Sequence, residues 1–482
     1  MRRYGLYVDG QWTPAGSGKT FEVYNPATGD VVGEVADASK EDVLRAVDAA
    51  HRAFPGWAAK TAKERSEILR RAYDLMVANL DELAVIMTTE QGKPLAEAKG
   101  EIQYAADFVL WYSEEAKRVY GETIPASFPH KRILVLRQPV GVVAAITPWN
   151  FPAAMITRKI APALAAGCTV IVKPAKQTPL TACRLVEIFE EAGMPPGVVN
   201  LITGSRAAEI ADTMLADERV RKITFTGSTE VGKQLMRKAA DTVKHISLEL
   251  GGHAPFLVFE DADIDAAARE VAASKFRNAG QTCVCTNRVY VHESIAEPFA
   301  EALAKRAASM KVGNGLEEGV VIGPLIDRQA AEKVEEHVRD AVQKGARVVT
   351  GGHRLSRAGT KGEVHFFEPT VLLDVSDDML VLYEETFGPV APVQTFRDDE
   401  EAVRKANDTR YGLAAYLFTR DLSRAVRVAE SLEYGIVGIN DGLPSVAQAP
   451  FGGFKESGLG REGGRHGIEE FLEIKYVSLA LV

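Results

Sequence analysis

The sequence of 482 residues predicts an α/β protein built from two parallel-sheet domains. Two observations lead there. From about residue 140, short continuous apolar runs alternate with helical stretches, the pattern of parallel strands buried on both faces. A second series of the same kind begins near Ala254, directly after the pair Gly251-Gly252. At a soft ~150 residues per domain the chain has room for both series and for smaller elements beside them.

Before residue 140 the chain reads mainly as helix. Ser39, with Asp42 three positions on, opens a helix over 39–53 with Val43, Ala46, Val47 and Ala50 on one face. Thr61 and Glu64 open another over 61–89, and a third runs from about 94 to 119. KRILVLR, residues 131–137, is a short strand between Pro129 and Pro139. The first series then has strands at 142–146, 169–172, 198–202 and 222–226, with helices at 178–192, 206–216 and 233–240, and HISLEL closes it. The second has strands at 254–259, 288–292, 346–350, 369–373 and 389–396, with helices at 263–274 and 294–309. The C-terminal run EIKYVSLALV is apolar and strand-like, so it is expected to pair with its own sheet or with a neighbouring subunit's edge.

Composition removes several functions. Lysine and arginine number 57 against 66 aspartates and glutamates, a net charge of −9 that argues against nucleic acid as a partner. With 46% hydrophobic and 26% charged residues the chain is globular rather than disordered. Four cysteines with no CxxC pair make neither a disulfide scaffold nor a zinc ribbon. The nine histidines show no ligand spacing, because His292-Glu293 is followed by Ala296 where H-E-x-x-H needs histidine, so no metal is expected. The N-terminal MRRYGLYVDGQW has no apolar signal core. The apolar stretch 160–172 is too short for the ~20 residues that cross a bilayer. The expected location is the cytoplasm, with no membrane partner.

Ligands of open parallel sheets bind at the carboxyl ends of the strands. Successive strands here end in Asn150, in Lys173 to Lys176, in Gly227-Ser228 and in Glu249, delivering an amide, lysines, a glycine turn and a carboxylate to one edge. GSTEVGK fits the phosphate-cradling spacing G-x-x-x-x-G-K, but Gln234 stands where serine or threonine would hold magnesium. A P-loop nucleotide hydrolase therefore stays as an alternative that would need magnesium and would not need Cys283. The helix start after Gly227 also suits a pyrophosphate. Cys283, in the polar glycine-containing stretch FRNAGQTCVC, reads as a reactive thiol; Cys168 and Cys183 read as packing residues.

The motifs ITPWNFP (146–152), VKPA (172–175), FTGSTEVG (225–232), LELGG (248–252), GQTCVC (280–285), EETFGP (384–389) and PFGGFKESGLGREGG (450–464) occur in this order and together resemble the aldehyde dehydrogenase superfamily over nearly the whole chain. The resemblance implies a Rossmann-like NAD(P) domain (1–118 and 141–252), an α/β catalytic domain with a nucleophilic cysteine (253–454), and a small β oligomerisation element (119–140 and 467–482) that pairs subunits into homodimers or homotetramers. It implies Cys283 as nucleophile, Asn150 as oxyanion donor and Glu249 as general base. Trp149, Lys173, Lys176, Gly227, Ser228, Leu250, Glu385 and Phe387 would contact the cofactor. Many NAD-preferring relatives carry glutamate where this chain has Lys176, and a cation there favours the 2′-phosphate of NADP over NAD. Arg158, Arg277 and Ser445 resemble the carboxylate-binding set of succinate-semialdehyde dehydrogenases. Glutarate or 2-oxoglutarate semialdehyde, or a broad range of aldehydes, are the alternatives. Cys283 and Cys285 match a pair that some semialdehyde dehydrogenases oxidise as a switch.

Overall fold

The computed structural model describes residues 1–356, 360 and 362–481. The helix Lys40–Ala58 starts at its Ser39–Asp42 capping box and runs on past residue 53 through Pro55. Burial of Trp57, whose indole N–H donates to the Leu164 carbonyl at 3.2 Å, holds that last turn to the core. The expected helix over 61–89 is two helices, Ala62–Ala78 and Leu80–Gln91. They part at Asn79, which leaves helical geometry (φ −104°, ψ 18°) and donates its side-chain amide to the Leu75 carbonyl. Helix α1, Leu95–Glu115, follows as predicted. Strands Arg2–Tyr4, Thr20–Tyr24 and Val31–Ala36 form a small sheet that the sequence reading did not anticipate; such short strands carry little periodicity.

The main sheet holds β1 (Val142–Ile146), then helix α2 (Ala154–Ala166), β2 (Thr169–Lys173), β3 (Val220–Thr226), helix α3 (Thr229–Ala239) and β4 (His245–Glu249). Their order is β4-β3-β1-β2, continued by Val199–Leu201, all parallel. Gly458–Leu459 adds antiparallel to β4, and Leu6–Val8 with Gln11–Thr13 closes the other edge. Every residue of β1 and β2 is buried, as continuous apolar runs require. The chain leaves β1 towards β2 and later returns to lay β3 on the other side of β1. A crevice therefore opens between the carboxyl ends of β1 and β3.

The second sheet holds β5 (Ala254–Val258), helix α4 (Ile264–Phe276) and β6 (Thr286–His292), flanked by Thr370–Leu373 and Val390–Phe396 on one side and Ala414–Phe418 and Ile436–Ile439 on the other. The chain passes between the sheets at Gly251-Gly252. A Cβ on Gly252 would lie 2.4 Å from the Cys283 carbonyl oxygen, so only glycine lets the linker run this close to the cysteine loop. The C-terminal strand Leu472–Ala480 pairs antiparallel with Lys131–Pro139 along its whole length, and Glu122–Ile124 lies on the far side. The C-terminal run is thus paired within its own chain, yet Ile474 and Tyr476 remain 65% and 62% exposed.

Candidate active site

The chain that leaves β1 is Pro148-Trp149-Asn150. With Gly227 and Ser228 after β3, Leu250 and Gly251 after β4, and Glu385 and Phe387, it lines a cleft of about 230 Å³ that is closed by Cys283. Ser228 caps α3 by accepting the Val231 N–H at 3.3 Å. This helix begins at its Ser228 cap rather than near 233, and its Gly232 packs on Leu250, where a Cβ would meet Leu250 Cδ2 at 2.4 Å. GSTEVGK is therefore mostly helix and not an open phosphate loop, a correction that removes the geometry of the hydrolase alternative. The positive end of α3 still opens on the cleft.

Phe387, held at φ 54°, meets the Trp149 ring edge-on at 5.7 Å. The Glu385 carboxylate accepts the Gly252 N–H at 3.1 Å, and burial raises its pKa to about 7. Lys173, buried at the end of β2 and without an ion pair among the described residues, is lowered to about 8 by burial and then by Lys176. Lys173 lies beyond the lining of the small cleft, while exposed Lys176 borders a separate cleft of about 700 Å³ with Glu22, Ser205 and Arg328. A helix N-terminus, a buried carboxyl and a buried amine without a counter-ion, at a sheet's switch point, fit a dinucleotide with its ribose hydroxyls and diphosphate.

The loop after α4 reverses through three left-handed residues, Asn278 (φ 52°), Ala279 (φ 55°) and Gly280 (φ 75°). The third must be glycine, because a Cβ would sit 2.1 Å from the Gly388 carbonyl oxygen. The Asn278 N–H donates to Glu97 at 2.8 Å, and the Asn278 side chain donates to the Asn150 carbonyl at 3.0 Å. The Asn150 side-chain amide donates one hydrogen bond, to the Gln281 carbonyl at 3.1 Å, which directs it to the cysteine loop and leaves its second N–H. Burial pushes the Cys283 thiol well above the ordinary thiol range, and the Glu249 carboxyl pushes it further while Arg158 opposes. Glu249 is itself buried at the end of β4. Neither carboxyl oxygen has a hydrogen-bond partner, and burial raises its pKa to about 8. Cys285 lines neither cavity; its thiol donates to the Gly280 carbonyl at 3.2 Å and lies 3.6 Å from Lys275 Nζ, and both cysteines are free.

On the other side of Cys283 a cavity of about 320 Å³ is lined by Phe151, Arg158, Arg277, Ser445 and one face of α1. Arg277 has no ion pair among the described residues, and its Nε is buried without a partner. Arg158, expected with Arg277 and Ser445 to bind a carboxylate, already has an ion-pair partner: it lies 2.7 Å from Glu462 and 3.9 Å over the Phe451 ring. Glu462 also accepts from Lys159 at 2.6 Å. The two cations pull Glu462 below the usual carboxylate range against the effect of burial.

Several residues here escaped the sequence reading. Lys93 Nζ donates to the Asn150 carbonyl at 2.8 Å and pairs with Glu101, which in turn accepts the Ala153 and Ala154 N–H groups at 2.9 and 3.2 Å ahead of α2. A signal existed: Glu97, Glu101 and Tyr104 recur at helical spacing beside the core residues Ala98, Ile102 and Ala105.

Residues 12–477 match the model of the aldehyde dehydrogenase family. Glutarate-semialdehyde dehydrogenase of Pseudomonas putida is 56% identical, over 99% of this chain and 98% of its own length. The NADP-named succinate-semialdehyde dehydrogenase of Escherichia coli is 55% identical, again over 99% and 98%. The crystal structure of succinate-semialdehyde dehydrogenase from Burkholderia pseudomallei superposes with a TM-score of 0.97 at 55% identity, covering 99% of this chain and 98% of that one.

Proposed function

The chain belongs to the aldehyde dehydrogenase family, and from that membership we propose that it oxidises a short aldehyde bearing a carboxylate at its far end, succinate semialdehyde first among them. The observation that carries this reading is Cys283 at the junction of two cavities, one fitting a dinucleotide and the other lined by Arg158, Arg277 and Ser445. Two guanidiniums and a hydroxyl form a sound receptor for a carboxylate, even with one guanidinium shared with Glu462.

Cys283 reacts as thiolate, its proton released to solvent water, and Sγ attacks the aldehyde carbon. The Asn150 amide and the Cys283 N–H donate to the developing oxyanion, an arrangement worth a few kcal/mol per donor. A nicotinamide dinucleotide, when bound, would supply the two-electron oxidant that accepts a hydride from the thiohemiacetal carbon, which leaves a thioester on Cys283. Glu249, as carboxylate, takes a proton from the water that hydrolyses it. Lys173 and Glu385 are assigned to ribose hydroxyls, Gly227, Ser228 and Leu250 to the diphosphate side, and Trp149 and Phe387 to the flank of the nicotinamide. Lys176 favours NADP over NAD. The thiols, free in all four cysteines, suit a reducing compartment such as the cytoplasm, and the exposed apolar C-terminal sheet suits a homodimer or homotetramer. A glutarate semialdehyde reading has support in the Pseudomonas relative, and one methylene shifts affinity by only about 1–3 kcal/mol.

The test is the initial rate of nicotinamide reduction with succinate semialdehyde, glutarate semialdehyde and butanal, each with NADP and NAD. An acid preference that Arg277→Ala abolishes is expected. Equal turnover of butanal would overturn the substrate assignment.

A further inference from the structure

The Tyr104 hydroxyl is closed off from solvent and has no hydrogen-bond partner. Its ring packs edge-on to Phe108 at 4.9 Å, which fixes the phenol on the cavity face of α1. The same cavity holds Arg158 and Arg277, and the Nε of each guanidinium is buried without a hydrogen bond. Unpaired buried donors cost free energy, and three side chains bearing them around one cavity point to an acceptor that arrives with the ligand. Among the polar side chains of that wall, Lys93 and Glu101 are already committed to each other. Glu97 is committed to the Asn278 N–H.

We propose that Tyr104 is a specificity residue whose phenol O–H donates to the distal anionic group of the substrate, beside Arg158 and Arg277. This rests on the carboxylated-aldehyde reading above and deepens it. Arg158 shares its charge with Glu462, so charge alone is a diluted signal in this cavity. A neutral, fixed donor adds selectivity of another kind: an aldehyde with no acceptor at its far end leaves the phenol unpaired, and sites built to hydrogen-bond reject such analogues strongly.

Tyr104→Phe removes the hydroxyl and keeps the ring. With succinate semialdehyde, kcat/KM is expected to fall about tenfold or more, through KM, as for loss of one hydrogen bond to a charged group. With butanal it should stay level or rise. Calorimetric binding of succinate to the enzyme should weaken by a factor like that of the acid substrate, which removes turnover from the comparison. If the wild type prefers the acid aldehyde and Tyr104→Phe keeps the same preference, the proposal for Tyr104 is overturned while the substrate reading stands. An equal fall for both aldehydes would also overturn it, making the hydroxyl structural. A wild type without acid preference would overturn the substrate reading and this proposal together.

Discussion

Cys283 and Glu249 are both buried, and burial favours the proton-bearing form of each, so Glu249 rests uncharged. On the proposed mechanism hydrolysis of the thioester needs Glu249 as carboxylate, so the rate of that step should rise with pH through the region near 8. Glu249→Gln is expected to reduce one equivalent of cofactor per site in a burst and then release acid about 100-fold or more slowly, which stopped-flow at 340 nm would resolve. The same group has a stability signature. Its folded pKa is raised above the unfolded value near 4.5, so the folded state keeps a proton that the unfolded chain loses. That stability is complete below pH 4.5 and is lost as pH rises towards 8. Glu249→Gln should therefore melt above the wild type at pH 8, with the difference closing towards pH 5; melts that run parallel across this range would refute the sign. Lys176→Glu should move the NADP to NAD preference tenfold or more towards NAD, read from kcat/KM with each.

Helix α1 shows how an element can be legible while its purpose is not. Its extent followed from apolar periodicity, yet the residues that matter are the charged ones between the apolar positions. Lys93, just ahead of the helix, and Glu101 bridge the Asn150 carbonyl to the start of α2, so they brace the oxyanion amide from behind. Lys93→Met should cost about 3–5 kcal/mol, because it strands a buried carboxylate. Adding Glu101→Leu removes the stranded charge but leaves the Ala153 and Ala154 N–H groups unpaired, so a urea titration should show only part of the stability recovered. The expected helix over 61–89 breaks at Asn79, whose side chain bonds the Leu75 carbonyl, and the helix expected from 233 starts at Ser228, whose hydroxyl takes the Val231 N–H; both boundaries rest on one polar side chain, which apolar periodicity does not register.

At the scale of the whole molecule, the three-stranded sheet of Glu122–Ile124, Lys131–Pro139 and Leu472–Ala480 is separate from both large sheets and exposes Ile124, Ile474 and Tyr476 on one face. Exposed apolar residues grouped on such a sheet mark an association surface. Ile474→Asp with Tyr476→Lys should lower the mass seen by light scattering to that of a monomer while leaving secondary structure intact; an unchanged mass would exclude this face as the interface. Sequence reading alone supplied the two α/β series, the capping boxes at Ser39 and Thr61, and the order in which Asn150, Lys173, Gly227 and Glu249 reach the strand ends. Those features depend on a few consecutive residues, and helical or strand periodicity reports them directly. The rest needed the folded chain: Glu462 on Arg158 from some three hundred residues away, Glu97 on the cysteine loop, the Tyr104 hydroxyl in the substrate cavity, and Cys283 between two cavities. These are contacts between segments remote in sequence, and packing, which no local pattern encodes, decided which side chains met.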